Sequence, residues 1–229
     1  MERILIPIVM SGAVIVLVGG IIWLFMHLAK KRREALMAIA SEMGLQFSEV
    51  QDEALLVKMK AFALFNKGHS RKMKNVMTTE TDNARLSIFD YQYTTGGGQN
   101  SHTHQQTVVA LESNTLEIPA FSLRPEGVFQ KIGAAIGMQD IDFETHPDFS
   151  DSFVLTGNDE QAVRSFFDEK ILDLFVQHEG ICVESAPGMF IYFRKGRRKP
   201  EQIREFMNQA YMIYSAFVER LSRPGAASV

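Results

Sequence analysis

The chain has 229 residues, a formal net charge of −3, 46% hydrophobic and 10% aromatic residues, and one cysteine. That is enough apolar material for one large domain or two small ones. The acidic balance argues against a nucleic-acid partner, and a single thiol excludes an intramolecular disulfide and fits a reducing compartment.

Charge is unevenly spread. Residues 1–33 carry a net +4, whereas from Glu34 onward 19 Lys and Arg stand against 26 Asp and Glu. The first element, Ile4–Ala29, is uncharged and ends at Lys30, Lys31, Arg32 and Arg33. As a helix it reaches roughly 39 Å, so a single transmembrane helix is expected. It is too long for the apolar region of a cleaved secretory signal, and four cations follow it. Those four outweigh Arg3, so the N-terminus is expected outside and the C-terminal domain in the cytoplasm of a single-pass cell inner membrane protein. Trp23 suits an interfacial belt, together with His27, and Pro7 sits in the first turn.

Helical spacing continues through Ala35, Leu36, Ile39, Ala40 and Met43 to a stop at Gly44, which leaves no flexible linker. A short strand over 45–50 and a helix over 52–66 follow, and then strands at 74–79, 84–93, 106–112 and 118–123 read as an antiparallel meander. In the second of these, Leu86, Ile88 and Asp90 point one way and Ser87, Phe89 and Tyr91 the other, so both sheet faces are expected to be partly covered.

A helix is expected over 126–138, then an irregular connection to Ser150. The second half reads strand 153–156, helix 159–178, strands 181–185 and 189–194, and helix 200–221. Asn158 is the expected cap of the first helix. Val163, Phe166, Phe167, Ile171, Leu174 and Phe175 form its apolar face, and Ile203, Phe206, Ala210, Phe217 and Leu221 belong to that of the last. The expected class is α+β: an anchor with its basic flank (1–33), a helix and β-meander subdomain (34–138), a β-α-β-β-α subdomain (139–222) and a frayed tail (223–229).

Pro147, Phe149, Ser150, Phe153, Leu155 and Asp159, with the long helix and the 181–194 hairpin after them, resemble uncharacterised bacterial proteins that follow one membrane anchor with an α+β domain of unknown function. The resemblance implies a topology and brings no activity or cofactor with it.

Candidate chemistry is sparse. His102 and His104 alternate in an extended segment and would present two imidazoles to one metal ion, without a third ligand nearby. Asp140 and Asp142, with Glu144 and Asp148, form an acidic cluster lacking the spacing and glycine of a calcium loop. No phosphate loop, nucleophile elbow, zinc-protease helix or paired cysteine motif occurs. Cys182 lies in a strand-like context as a small buried hydrophobe. The densest charge is Arg194, Lys195, Arg197, Arg198 and Lys199, five cations in six residues of an otherwise acidic region. These and Lys30–Arg33 are the expected membrane-contact residues, with Trp23. The expected role is a membrane-tethered cytoplasmic interaction or regulatory module that meets the bilayer and an unknown protein partner. No cofactor is called for. A module reading anionic lipid headgroups and a membrane-bound hydrolase with a dispersed site are the alternatives.

Overall fold

In the computed structural model, the backbone is described for residues 2–129 and 140–223, and side chains from Ile15, except 128–139 and 224–229. The first element, α1 (Glu2–Glu42), is one unbroken helix that runs through the basic block into the domain. It ends where Gly44 takes φ +70°, a conformation glycine adopts without a Cβ clash. The Leu45 N–H then closes back on the Ala40 carbonyl at 2.8 Å.

The expected transmembrane helix is corrected here. Among the described residues no helix is long and apolar enough to cross a membrane. From Ile15, the uncharged run to Ala29 extends about 22 Å at 1.5 Å per residue, short of a hydrocarbon core of about 30 Å. The part from Ile4 to Val14, with Pro7, lies outside the described side chains. The single-pass topology and the orientation that rested on a span lose their basis with it.

The domain is built on an eight-stranded antiparallel sheet in the order β1-β2-β3-β4-β8-β7-β5-β6. Its strands are β1 (Gln46–Ser48), β2 (His69–Glu80), β3 (Ala84–Thr95), β4 (His102–Ser113), β5 (Phe121–Pro125), β6 (Phe153–Gly157), β7 (Ile181–Ala186) and β8 (Met189–Arg194). The meander and the second-half hairpin join through β4 and β8, from Val108 opposite Phe193 to Glu112 opposite Met189. Strands β2, β3 and β4 each run twelve residues, longer than their apolar patterns, because pairing with a long neighbour recruits polar residues that carry no alternation signal.

Helices cover both faces, as the imperfect alternation of β3 required. On one side α2 (Glu53–Met59) and α3 (Ala63–Asn66) pack Leu55, Met59, Phe62 and Phe65 against Phe89, Tyr91, Val108 and Ile191. On the other lie the C-terminal part of α1, through Leu36 and Ala40, and α5 (Pro147–Ser152), α6 (Glu160–Phe166), α7 (Glu169–Val176) and α8 (Ile203–Leu221). The short α4 (Glu126–Phe129) begins the helix expected at 126–138, whose remainder lies outside the described residues.

Two helices expected to be single are each broken in two. Asp159, rather than Asn158, caps α6 by accepting from the Ala162 N–H, and Asp168 restarts the chain as α7 by accepting from the Ile171 N–H. Adjacent residues of one helix diverge by about 100°, so the break is what buries both Phe166 and Phe167. Likewise Asp52 caps α2. The Asn66 amide then bonds the Lys60 and Phe62 carbonyls where α2 gives way to α3. A short 3-10 turn, Pro200–Gln202, precedes α8.

Phe217, fully buried, lies at the centre of the larger core, with ring centroids 5.2 Å from Phe166, 5.4 Å from Phe190 and 6.1 Å from Phe121. Phe217→Ala is expected to cost about 3–5 kcal/mol, read as a lower urea midpoint of the full chain. An unchanged midpoint would show this packing to be misassigned.

Candidate functional site

The polar centre of the molecule lies where α1 crosses the sheet. Asp90, in the middle of β3, is almost fully buried and would be costly there as an unpaired carboxylate. Arg32 grips it with both arms, Nε to Oδ2 at 2.8 Å and Nη2 to Oδ1 at 2.7 Å. Asn75 Nδ2 donates to Oδ2 at 3.0 Å and Thr107 Oγ1 to Oδ1 at 3.2 Å, so each oxygen accepts two bonds. Asn75 reaches Asp90 from an irregularity in the β2 register between Lys74 and Met77, where it takes φ +53°.

The same ring captures the basic turn. The Arg198 N–H donates to Thr107 Oγ1 at 2.9 Å, and its carbonyl accepts Arg32 Nη1 at 2.9 Å. Residues 166 apart in sequence thereby sit side by side. The Arg198 guanidinium lies over the Phe206 ring and donates to the Lys195 carbonyl, while Arg194 donates to the Tyr192 hydroxyl and the Glu179 carbonyl. Three of the nine cations expected at a membrane, Arg32, Arg194 and Arg198, are therefore committed to holding the fold. Arg33 pairs with Glu49 at 2.8 Å, and exposed Lys30 lies 3.8 Å from Glu34.

Lys31, Lys195, Arg197 and Lys199 are exposed and, among the described residues, unpaired with any carboxylate. Arg197 is held below the usual arginine range by loss of hydration; Asp90 opposes that shift and the Arg32 charge adds to it. Sequence reasoning missed two further cations. Lys74 lies opposite Asp90 and Lys72 opposite Gln92, so both project on the face that α1 crosses. The Lys-x-Lys alternation was their signal, hidden because the start of β2 has no apolar alternation.

N-terminal to this centre, α1 leaves the domain. From Ile15 to Lys31 every residue is exposed, including Phe25 at 68% and Trp23 at 65%. Trp23 stacks on His27 one turn along, with centroids 5.3 Å apart.

The other candidates have structural employment. His104 stacks on Tyr93 and its Nε2 meets Thr95 Oγ1 at 2.8 Å, while His102 begins β4. Among the described residues no group of three or more His, Cys, Asp or Glu is placed to hold a metal. Asp140 accepts the Leu155 N–H and is raised by burial, and the Asp142 carbonyl accepts from Arg164. Both staple their loop to β6 and α6. A cavity of about 490 Å³ beside β1 is lined by Ser48, Gln51, Asp52, Thr78 and Arg85 among others. Much of its polar lining is engaged: Asp52 caps α2 and pairs with Arg85, and the Ser48 hydroxyl donates to the Val50 carbonyl.

On the opposite face, Arg124 and Glu184 form a buried pair at 2.6 Å, and the second Glu184 oxygen accepts the Leu64 N–H, docking α3 on the sheet. Nearby Lys67 is pulled down to about 8, by burial first and then by the Arg124 charge. Burial likewise pushes the Cys182 thiol up to about 12.

No protein-family model matches the chain, and no curated protein matches it. Among solved structures, the chain is similar in fold to the mycobacterial trehalose monomycolate transport factor A, TtfA. The TM-score is 0.58 at 14% identity, over 84% of this chain and 93% of that one.

Two outcomes follow from this geometry. Asn75→Ala is expected to cost about 2–4 kcal/mol, since it removes a hydrogen bond to a charged acceptor and puts alanine, less tolerant of the left-handed region than asparagine, at φ +53°. Asn75→Gly should cost about 1 kcal/mol less. Equal urea midpoints for the two would contradict the strained-bulge account. Because the pKa of folded Lys67 lies near 8 and its ordinary value is 10.5, the unfolded chain holds a proton between these values that the folded chain has released. The Lys67 contribution to stability therefore rises across that window. Stability measured against pH should rise more steeply there in the wild type than in Lys67→Met, and parallel profiles would show that Lys67 is not desolvated.

Proposed function

We propose that this protein is a membrane-associated interaction or regulatory module, working at a lipid surface without catalysis of its own. The observation that carries the reading is the segment of α1 from Ile15 to Leu28. It is exposed on every side, is apolar throughout except for His27, and is continuous with a helix locked into the domain. A helix apolar all round needs an apolar environment, and a run of this size is far beyond the scattered apolar residues of an ordinary surface. Lipid supplies that environment, and the stacked Trp23 and His27 suit the zone between acyl chains and water. The unbroken passage from α1 into the core holds the domain close to that surface, where it is available to a protein partner. The role named for TtfA, trehalose monomycolate transport, is in keeping with work at lipid surfaces.

Trp23 is the only tryptophan in the chain, so its fluorescence reports this segment alone. When the full-length protein is mixed with neutral phosphatidylcholine vesicles, brominated acyl chains are expected to quench Trp23 and aqueous iodide to lose access to it. Emission that ignores the bromine and stays open to iodide would contradict the reading.

A further inference from the structure

We propose that six cations surrounding the point where α1 leaves the domain, Lys31, Lys72, Lys74, Lys195, Arg197 and Lys199, form a binding surface for the phosphates of anionic phospholipids. This rests on the reading above and adds lipid selectivity to it.

Arg32, Arg194 and Arg198 donate to groups inside the protein, and the carboxylate at the centre, Asp90, is saturated by two bonds from Arg32 and one each from Asn75 and Thr107. The six remaining cations stand exposed around this neutralised ring. Lys31 precedes the gripping arginine on α1. Lys195, Arg197 and Lys199 belong to the turn that the Arg198 main chain pins beside it, and Lys72 and Lys74 come from β2. The pinning matters because it gathers cations from three distant segments without a flexible arm, so little ordering cost is left to binding.

The rest of the domain is acidic, so the cluster is a local inversion of charge rather than part of a basic surface. A long polyanion such as a nucleic acid would be repelled beyond the cluster and would leave the apolar helix at its centre uncovered. An anionic bilayer satisfies both features together: acyl chains meet the apolar side chains of α1 while headgroup phosphates meet the cations at its base. A cation near such a leaflet strengthens binding about fivefold, and the effect fades within a Debye length of about 8 Å at physiological salt.

The test compares partition of the full-length protein onto neutral phosphatidylcholine vesicles and onto mixed phosphatidylcholine and phosphatidylserine vesicles. A variant with Lys195→Gln, Arg197→Gln and Lys199→Gln removes three free cations and leaves the Arg198 main-chain bonds in place. Its charge-matched control carries Lys60→Gln, Lys170→Gln and Arg204→Gln. Wild type is expected to prefer the anionic vesicles, the first variant to lose that preference by about 100-fold, the control to keep it, and added salt to erase it. Equal preference in wild type and the first variant would overturn the proposal, as would an equal loss in the control, since that would reduce the effect to net charge. Competition by inorganic phosphate at fixed ionic strength would also overturn it in favour of a soluble anion. Retained binding to neutral vesicles alongside any of these results would leave the membrane-associated reading standing, whereas anionic preference without Trp23 quenching would remove the insertion of α1 into lipid and spare the cation surface.

Discussion

The pairing of Arg32 with Asp90 is the constraint on which the arrangement of this molecule depends. A carboxylate in the middle of a covered strand is tolerated only when its lone pairs are filled, and Asp90 fills them with donors from α1, β2 and β4. A buried ion pair adds little net stability compared with apolar residues of the same volume, but losing one partner is severe. Its effect is therefore on geometry. It fixes where along α1 the helix crosses the sheet, and through the Arg198 main chain it places the basic turn at that crossing. The apolar run, the free cations and the acidic domain then take up a fixed relation to one another.

The two sheet faces solve the polar problem differently. On the face of α1, charge is gathered at one edge of the aromatic core and passed outward to solvent. On the face of α2 and α3, Arg124 and Glu184 are enclosed, and the same low-polarity surroundings lower Lys67 and raise Cys182. That second network docks α3, a helix of only four residues that has few other means of holding its place.

Much of the framework was legible in the sequence, because apolar periodicity reports burial directly. The α8 face, the first three strands of the antiparallel meander, the covered faces of β3, the stop at Gly44 and the buried strand position of Cys182 all follow from local pattern, whereas the fourth strand expected in the meander, 118–123, is β5 and pairs with β6 and β7 instead of β4. What was illegible depends on partners far away in sequence. Nothing near Arg32 announces Asp90, 58 residues on, so a structural arginine looked the same as its solvent-facing neighbours. Asp159 and Asp168 could be seen as helix formers' neighbours but not as two separate caps, since the apolar face runs on through the break. The transmembrane expectation came from reading Ile4–Ala29 as one uniform segment; among the described residues that run is too short to cross a bilayer.

A double-mutant cycle on the stability of the full chain, using Arg32→Met, Asp90→Leu and the pair together, tests the central claim most directly. If the two side chains hold α1 to the sheet, each single variant leaves a buried charge unpaired and costs about 3 kcal/mol or more, and the double variant recovers a large part of that loss. Costs that add to within about 0.5 kcal/mol would show that Arg32 and Asp90 act independently, and the clamp would be contradicted.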